Sequence, residues 1–380
     1  MKQNSKLPHS LLALDNALYE CVNGIDILDV VSPTNYHEEK LRFFESQYNS
    51  NPKFQYVTTP FSLLEKKREL YNLPIDNLGN EHLFQLYFAI VQSYSDKLDQ
   101  YRHLGSEPFL YDSMRYYGEP SPMDIKNADF VLHITNKQAP RQETRFGAEQ
   151  IAEFFEHFAD AHQLPLRIEI SKSMVANALV SGDLVKVNAL ANVTLKEMKA
   201  LAHHELGVHL LTTLNARAQP LKVLSLGSPV NTMAQEGIAI LCEYLSGFME
   251  VMRLRTLALR VKAVASMITE RSFKTTFSYL ADAYGLNVEQ AFALTTRVYR
   301  GGGFTKDYVY LKGFQQVLEA YNTRKNLNHL LCGKVSLEQL DLVSELIDQR
   351  FLVEPKFVSP ALRRPSSVDP VLKFVADSIH

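Results

Sequence analysis

Three cysteines in 380 residues, Cys21, Cys242 and Cys332, are too few and too widely spaced for a disulfide framework or a cysteine-ligated zinc ribbon. They are expected to be buried as small apolar side chains. No uninterrupted apolar run reaches the roughly 18 residues that a membrane-spanning helix requires, so no membrane span is expected. The first 22 residues, MKQNSKLPHSLLALDNALYECV, break their apolar run at Asp15 and Asn16 and lack a small-residue cleavage pattern. An amphipathic helix and a cytoplasmic location are expected instead. An excess of one charge is missing as well: 40 Lys and Arg against 42 Asp and Glu leave a formal −2, too little to draw in nucleic acid or an anionic membrane surface. Internal repeats and low-complexity tracts are not found.

What is present is globular. The length gives a prior of roughly two to three domains. Large apolar residues at Leu83, Tyr87, Ile90, Tyr94, Leu98 and Tyr101 step by three and four, which predicts a helix with one buried face. The stretch RYYGEPSPMD, from Arg115 to Asp124, interrupts regular structure and suggests a boundary. We therefore expect a helical amino-terminal region over 1–120 and a catalytic domain over 121–380. In the latter, DFVLHIT (129–135), LRIEIS (166–171) and LVKVN (184–188) are strand candidates, and mostly helices follow from about residue 194. The fold class expected is α+β, predominantly helical, with a small sheet preceding an active-site helix.

Three of the twelve histidines fall between residues 203 and 209, in the sequence NVTLKEMKALAHHELGVHLLTTLNA. Thr194 followed by Glu197 forms a capping box, so a helix starts there and runs through the histidines. In the zincin motif H-E-x-x-H, two histidines four apart hold one zinc and the intervening Glu acts as general base. Here His204-Glu205 and His209 are spaced H-E-x-x-x-H, one residue longer. Five steps of a regular α-helix leave the two rings roughly 140° apart, too far round to clasp one ion. A single π-turn absorbs one residue and brings them together, and Gly207 tolerates the distortion. A local irregularity over 204–209 is therefore predicted.

A second capping box, Thr232 with Gln235, opens a helix carrying Glu236 and, seven residues on, Glu243. Glu236 completes a His₂Glu ligand set and leaves a position for water. Glu243 either steadies a ligand by a hydrogen bond or pairs with a basic neighbour. His203 is read as a polar or core residue rather than a ligand.

With these motifs in hand, the sequence resembles the family of microtubule-associated tyrosine carboxypeptidases and bacterial proteins named for a QEGLA motif and flavohaemoglobin expression. HELGVH, LNARAQP (Leu214–Pro220), QEGIA (Gln235–Ala239) and RVYRGGGFTKDYVYLKG (Arg297–Gly313) occur in the family's order and span most of the chain. Ile238 replaces the Leu of the motif name, and Ala216 stands where the family often has Gly. The resemblance implies a zincin-like metallopeptidase with zinc on His204, His209 and Glu236 and with Glu205 as the catalytic acid. It implies a peptide or protein carboxyl terminus as substrate; characterised animal members remove the terminal tyrosine of tubulin.

A carboxypeptidase also needs a cation for the substrate carboxylate and a donor for the developing oxyanion. Arg297, Arg300 and Lys306 are candidates for the first, and Tyr299, Tyr308 and Tyr310 for the second. An arginine beside Asp307 equally reads as a salt-bridge partner. Gly301, Gly302 and Gly303 are read as pocket wall, and LVKVN as a cleft edge along which an extended peptide adds. Two other readings use the same residues: a zinc hydrolase of a non-peptide amide or ester, and a non-catalytic regulatory protein that keeps zinc for structure. Glu205, which a structural site does not require, speaks against the second.

Overall fold

The computed structural model describes residues 7–58, 61–135, 144–172, 174, 176–227 and 229–380. They are predominantly helical with two small sheets, an α+β architecture. Contacts group the chain into two compact units: Ile134–Leu254 with Lys312–His380, and His9–His133 with Arg255–Leu311. Among the described residues, no helix is long and apolar enough to cross a membrane. All three cysteines are buried and unpaired.

The unit formed by His9–His133 and Arg255–Leu311 is helical. It begins with α1 (His9–Val22), α2 (Tyr36–Glu45), α3 (Leu63–Tyr71) and α4 (Glu81–His103). Asn80 caps α4, and the expected face of Leu83, Tyr87, Ile90, Tyr94, Leu98 and Tyr101 is buried. After α5 (Pro108–Tyr117) comes α6 (Pro122–Thr135), which overturns the strand expected at 129–135. Its start is fixed by Pro122 and by Asp124, whose carboxylate accepts from the Ser121 N–H and hydroxyl at 2.7 and 2.8 Å. Ala128 and Val131 then fall on one buried helical face, and the short apolar run carried no signal against that. Aromatic packing ties the unit's two segments together: Phe43 meets Phe277 and Phe273 edge-on at 4.9 and 5.2 Å between centroids.

In the other unit, β1 (Arg145–Phe146) leads to α7 (Ala148–His162), β2 (Arg167–Ser171), β3 (Ala178–Ser181), β4 (Leu184–Asn188) and β5 (Val193–Thr194). The larger sheet has the order β2-β4-β3, with β2 parallel and β3 antiparallel to β4; β1 pairs with β5. The LVKVN strand, β4, is therefore central and hydrogen-bonded on both sides, so it cannot be the cleft edge that the sequence suggested. Val185 and Val187 point from β4 into a core shared with Ile151 and Phe155 of α7 and with Met198, Ala202, Leu206 and Leu210. The last four lie along the histidine-bearing segment, which is thereby held against the sheet.

Candidate metal centre

The segment that carries the histidines starts as α8 (Leu195–His204). Thr194 Oγ1 accepts from the Glu197 N–H at 3.2 Å, and the Glu197 carboxylate accepts from the Thr194 N–H at 2.7 Å, completing the expected capping box. Glu205–Leu210 then forms a π-helical turn, after which α9 (Leu211–Ala218) resumes regular winding. The turn has the effect that the spacing demanded: His204 Nε2 and His209 Nε2 approach to 3.2 Å.

The third donor arrives from α10 (Pro229–Leu245). This helix starts three residues before Thr232, so the capping box expected at Thr232 and Gln235 is absent. Pro229, which needs no N–H partner, occupies the first helical position, and the Gln235 carboxamide instead donates to the Leu330 and Gly333 carbonyls at 3.2 and 3.3 Å. Glu236 Oε2 lies 3.6 Å from His204 Nε2 and 3.7 Å from His209 Nε2. Ligands at about 2.1 Å from a tetrahedral ion stand about 3.4 Å apart, so these three donors have the separations that one cation needs.

Position of the glycine in QEGIA is equally constrained. A Cβ on Gly237 would lie 2.3 Å from the Gly313 carbonyl oxygen, and one on Gly313 would lie 2.3 Å from that of Met233. Residues 237 and 313, from two motifs of the sequence, thus mark a backbone crossing that only hydrogen side chains permit, immediately beside Glu236.

Behind the donors, His204 Nδ1 bonds to Glu243 Oε1 at 2.7 Å, leaving Nε2 turned to the site. Glu243 is buried, and Arg253 at the start of α11 (Val251–Glu270) grips it twice, Nε to Oε2 and Nη2 to Oε1, both at 2.9 Å. Glu243 thus bonds to His204, a candidate ligand, and pairs with a basic neighbour as well. Burial alone would raise the Glu243 pKa; Arg253 and His204 outweigh it and hold the carboxyl at about 2. Arg253 was invisible to sequence reasoning because ten residues and a turn separate it from Glu243.

Burial disfavours a charged His204 imidazole, yet the Glu236 and Glu243 carboxylates prevail and push its pKa up to about 10. The cluster has an excess of negative charge that a cation would answer. Glu205 is buried, which raises its carboxyl pKa, with His204 and His209 pulling the other way. His203 faces elsewhere, 5.1 Å from the Phe158 ring and 6.1 Å from Phe248; burial and then His162 depress its pKa to about 4, keeping it neutral.

The remaining expected site residues belong to the unit of His9–His133 and Arg255–Leu311. Arg297, on α13 (Val288–Tyr299, after α12, Phe273–Tyr284), donates twice to buried Asp307 at 2.6 and 2.8 Å. Arg300 lies over the Phe304 ring at 4.7 Å, and its Nε is buried without a hydrogen-bond partner. Lys306 donates to Tyr310 Oη at 2.7 Å, Tyr308 donates to the Tyr117 carbonyl at 2.6 Å, and Tyr299 shares a 3.0 Å hydrogen bond with Thr276. The three glycines 301–303 have positive φ and press on α5: a Cβ on Gly301 would lie 2.4 Å from the Phe109 ring and one on Gly302 2.3 Å from the Ser106 carbonyl oxygen. They form a close-packed crossing, where pocket wall was expected.

A family model described as microtubule-associated tyrosine carboxypeptidase matches residues 41–380. The chain belongs to this family. Its motifs HELGVH and QEGIA supply the three donors described above, and the family's description is of carboxypeptidases. No curated protein matches the chain. Among solved structures, it is similar to a putative lipoprotein from Colwellia psychrerythraea, with 13% identity, a TM-score of 0.47, and 88% of this chain and 75% of that one covered. A putative lipoprotein of unknown function from Shewanella oneidensis shows 11% identity and a TM-score of 0.38, with 89% and 82% covered.

Proposed function

We propose that the chain is a zinc-dependent peptidase with a zincin-like centre, which removes a residue from the carboxyl terminus of a peptide or protein. The observation that carries this reading is the convergence of His204, His209 and Glu236 beside buried Glu205, in a member of a carboxypeptidase family. Zinc held by these three residues would supply Lewis acidity and an acidified water. Glu205 takes the proton of the attacking water as its oxygen bonds to the scissile carbonyl carbon. It returns that proton to the amine as the C–N bond breaks. Glu243 and Arg253 fix the His204 ring.

A peptide backbone finds its place along β3. Asn188 N–H bonds to the Asn177 carbonyl, and Ala178 lies opposite Val187, so pairs 179–186 and 181–184 face each other by hydrogen bonds. The N–H and C=O groups of Ala178 and Val180 are thus turned away from β4, along an edge strand that packs against the π-turn. An extended substrate adding there would run along the strand that packs against the Glu205–Leu210 turn. Buried free thiols agree with a reducing, cytoplasmic setting.

The test is a library of peptides bearing free or amidated carboxyl termini, incubated with zinc-loaded protein and read by mass spectrometry. Loss of single terminal residues from the free peptides alone is expected. Cleavage within both sets would make the enzyme an endopeptidase, and no cleavage of either set would overturn the peptidase reading.

A further inference from the structure

A cleft of about 410 Å³ opens where α7 ends and the chain passes through residues 357–364, within the unit of Ile134–Leu254 and Lys312–His380. One wall is apolar: Leu164 and Leu211 are buried, and Phe357 and Val358 are half-buried. The other takes its charge from Arg363 and Arg364, with the His162 imidazole beside them. No carboxylate is among its lining residues, and neither guanidinium has an ion-pair partner among the described residues. Burial and then the nearby Arg363 charge lower the His162 pKa. Two adjacent arginines with no carboxylate beside them, one of them close enough to depress a neighbouring imidazole, mark a place prepared for an anion.

The walls are preformed. Phe357 is clamped by Asn215, accepting from Asn215 Nδ2 at 2.7 Å and donating its N–H to Asn215 Oδ1 at 2.8 Å. Ser359 is fully buried and donates to Cys242 Sγ at 3.2 Å, so the strip that ends in the arginines is pinned to both α9 and α10. Leu211 follows His209 by two residues, about 200° round the helix, and therefore lines the cleft from the face opposite the metal donors. The volume is in the range of small-molecule sites, roughly 300–1,000 Å³.

We infer that this cleft binds a small organic anion, a carboxylate or phosphate on an apolar body, whose head is held by Arg363 and Arg364 and whose body rests on Leu211 and Phe357. The planar forks of the two guanidiniums suit either head, and the apolar wall distinguishes such a ligand from an inorganic ion. The inference does not rest on the peptidase reading.

Isothermal titration calorimetry with benzyl phosphate, benzoate, inorganic phosphate and benzyl alcohol, on zinc-loaded and on EDTA-stripped protein, tests it. Benzyl phosphate or benzoate is expected to bind, with inorganic phosphate and benzyl alcohol each weaker by about tenfold or more. Arg363→Gln/Arg364→Gln, both exposed positions, should weaken the organic anion by about tenfold or more while zinc content is unchanged. Removing the metal should leave the affinity within about twofold. The inference is overturned if the double variant binds as tightly as the wild type, if benzyl alcohol matches the anions, if binding disappears with the metal, or if neither organic anion binds at about 5 mM.

Discussion

Glu243 receives His204 Nδ1 at 2.7 Å on one oxygen while Arg253 holds both of its oxygens, so the ring of a candidate ligand is oriented by a carboxylate that is itself locked. Removing charge at either step loosens the ring without touching a metal donor. Glu243→Gln and Arg253→Met are each expected to lower zinc affinity by about 10–100-fold. Competition against a chelator of known affinity measures this; an unchanged affinity in both variants would refute the role given to the pair.

Donor and base should separate cleanly. Glu236→Ala is expected to lose most bound zinc, whereas Glu205→Gln keeps about one zinc per chain and loses activity by roughly 10²–10⁴-fold. Metal analysis beside peptide turnover decides it. Full zinc content in Glu236→Ala would mean that another residue is the third ligand.

The crossing of residues 237 and 313 leaves no room for a methyl group, since a Cβ at either would meet a backbone carbonyl oxygen at 2.3 Å. Gly237→Ala should destabilise the protein by about 1–3 kcal/mol and, by shifting α10 beside Glu236, reduce metal content as well. Thermal unfolding and metal analysis of Gly237→Ala and Gly313→Ala together check this. A wild-type Tm in both would show that the crossing is slack.

Asp307 is fully buried between Arg297 and its neighbours. Burial would raise its pKa, but Arg297 and then Arg260 hold it far below the ordinary carboxylate range. A depressed folded pKa contributes stability that is present above the unfolded value, about 4, and is lost as pH falls below it. Asp307→Asn leaves the guanidiniums uncompensated and should cost about 3–5 kcal/mol near neutral pH, with the gap to wild type narrowing in acid. Denaturant midpoints across pH 3–7, roughly the window set by that linkage, give the answer; a difference that does not change with pH would contradict the assignment.

What the sequence disclosed about this site follows from the range of the interactions involved. The π-turn was legible because angular arithmetic on H-E-x-x-x-H admits few alternatives, and the cap at Thr194 because both of its hydrogen bonds stay within four residues. Glu236 was legible as a donor type on a helix. Strand order was hidden: LVKVN has the same alternation whether it is central or at an edge, and only pairing with β2 and β3 settles which. Arg253 was hidden because its partner depends on a turn, and Pro229 because a generic cap signal at Thr232 concealed the true start of α10. The glycines 301–303 were read as open backbone, since a sequence does not say that Phe109 and Ser106 fill the space. DFVLHIT was too short for its period to tell strand from helix.

The π-turn has a consequence beyond joining two histidines. Deleting Gly207 would restore the common H-E-x-x-H spacing, yet everything downstream would be rotated by about 100° and drawn back by about 1.5 Å. Asn215 would then lose its grip on Phe357, and Leu211 its place in the cleft wall. The extra residue acts as a phase shifter in a single rod. It lets the upstream half stay keyed to the sheet and the downstream half to residues 357–364, while both present a nitrogen to the same point.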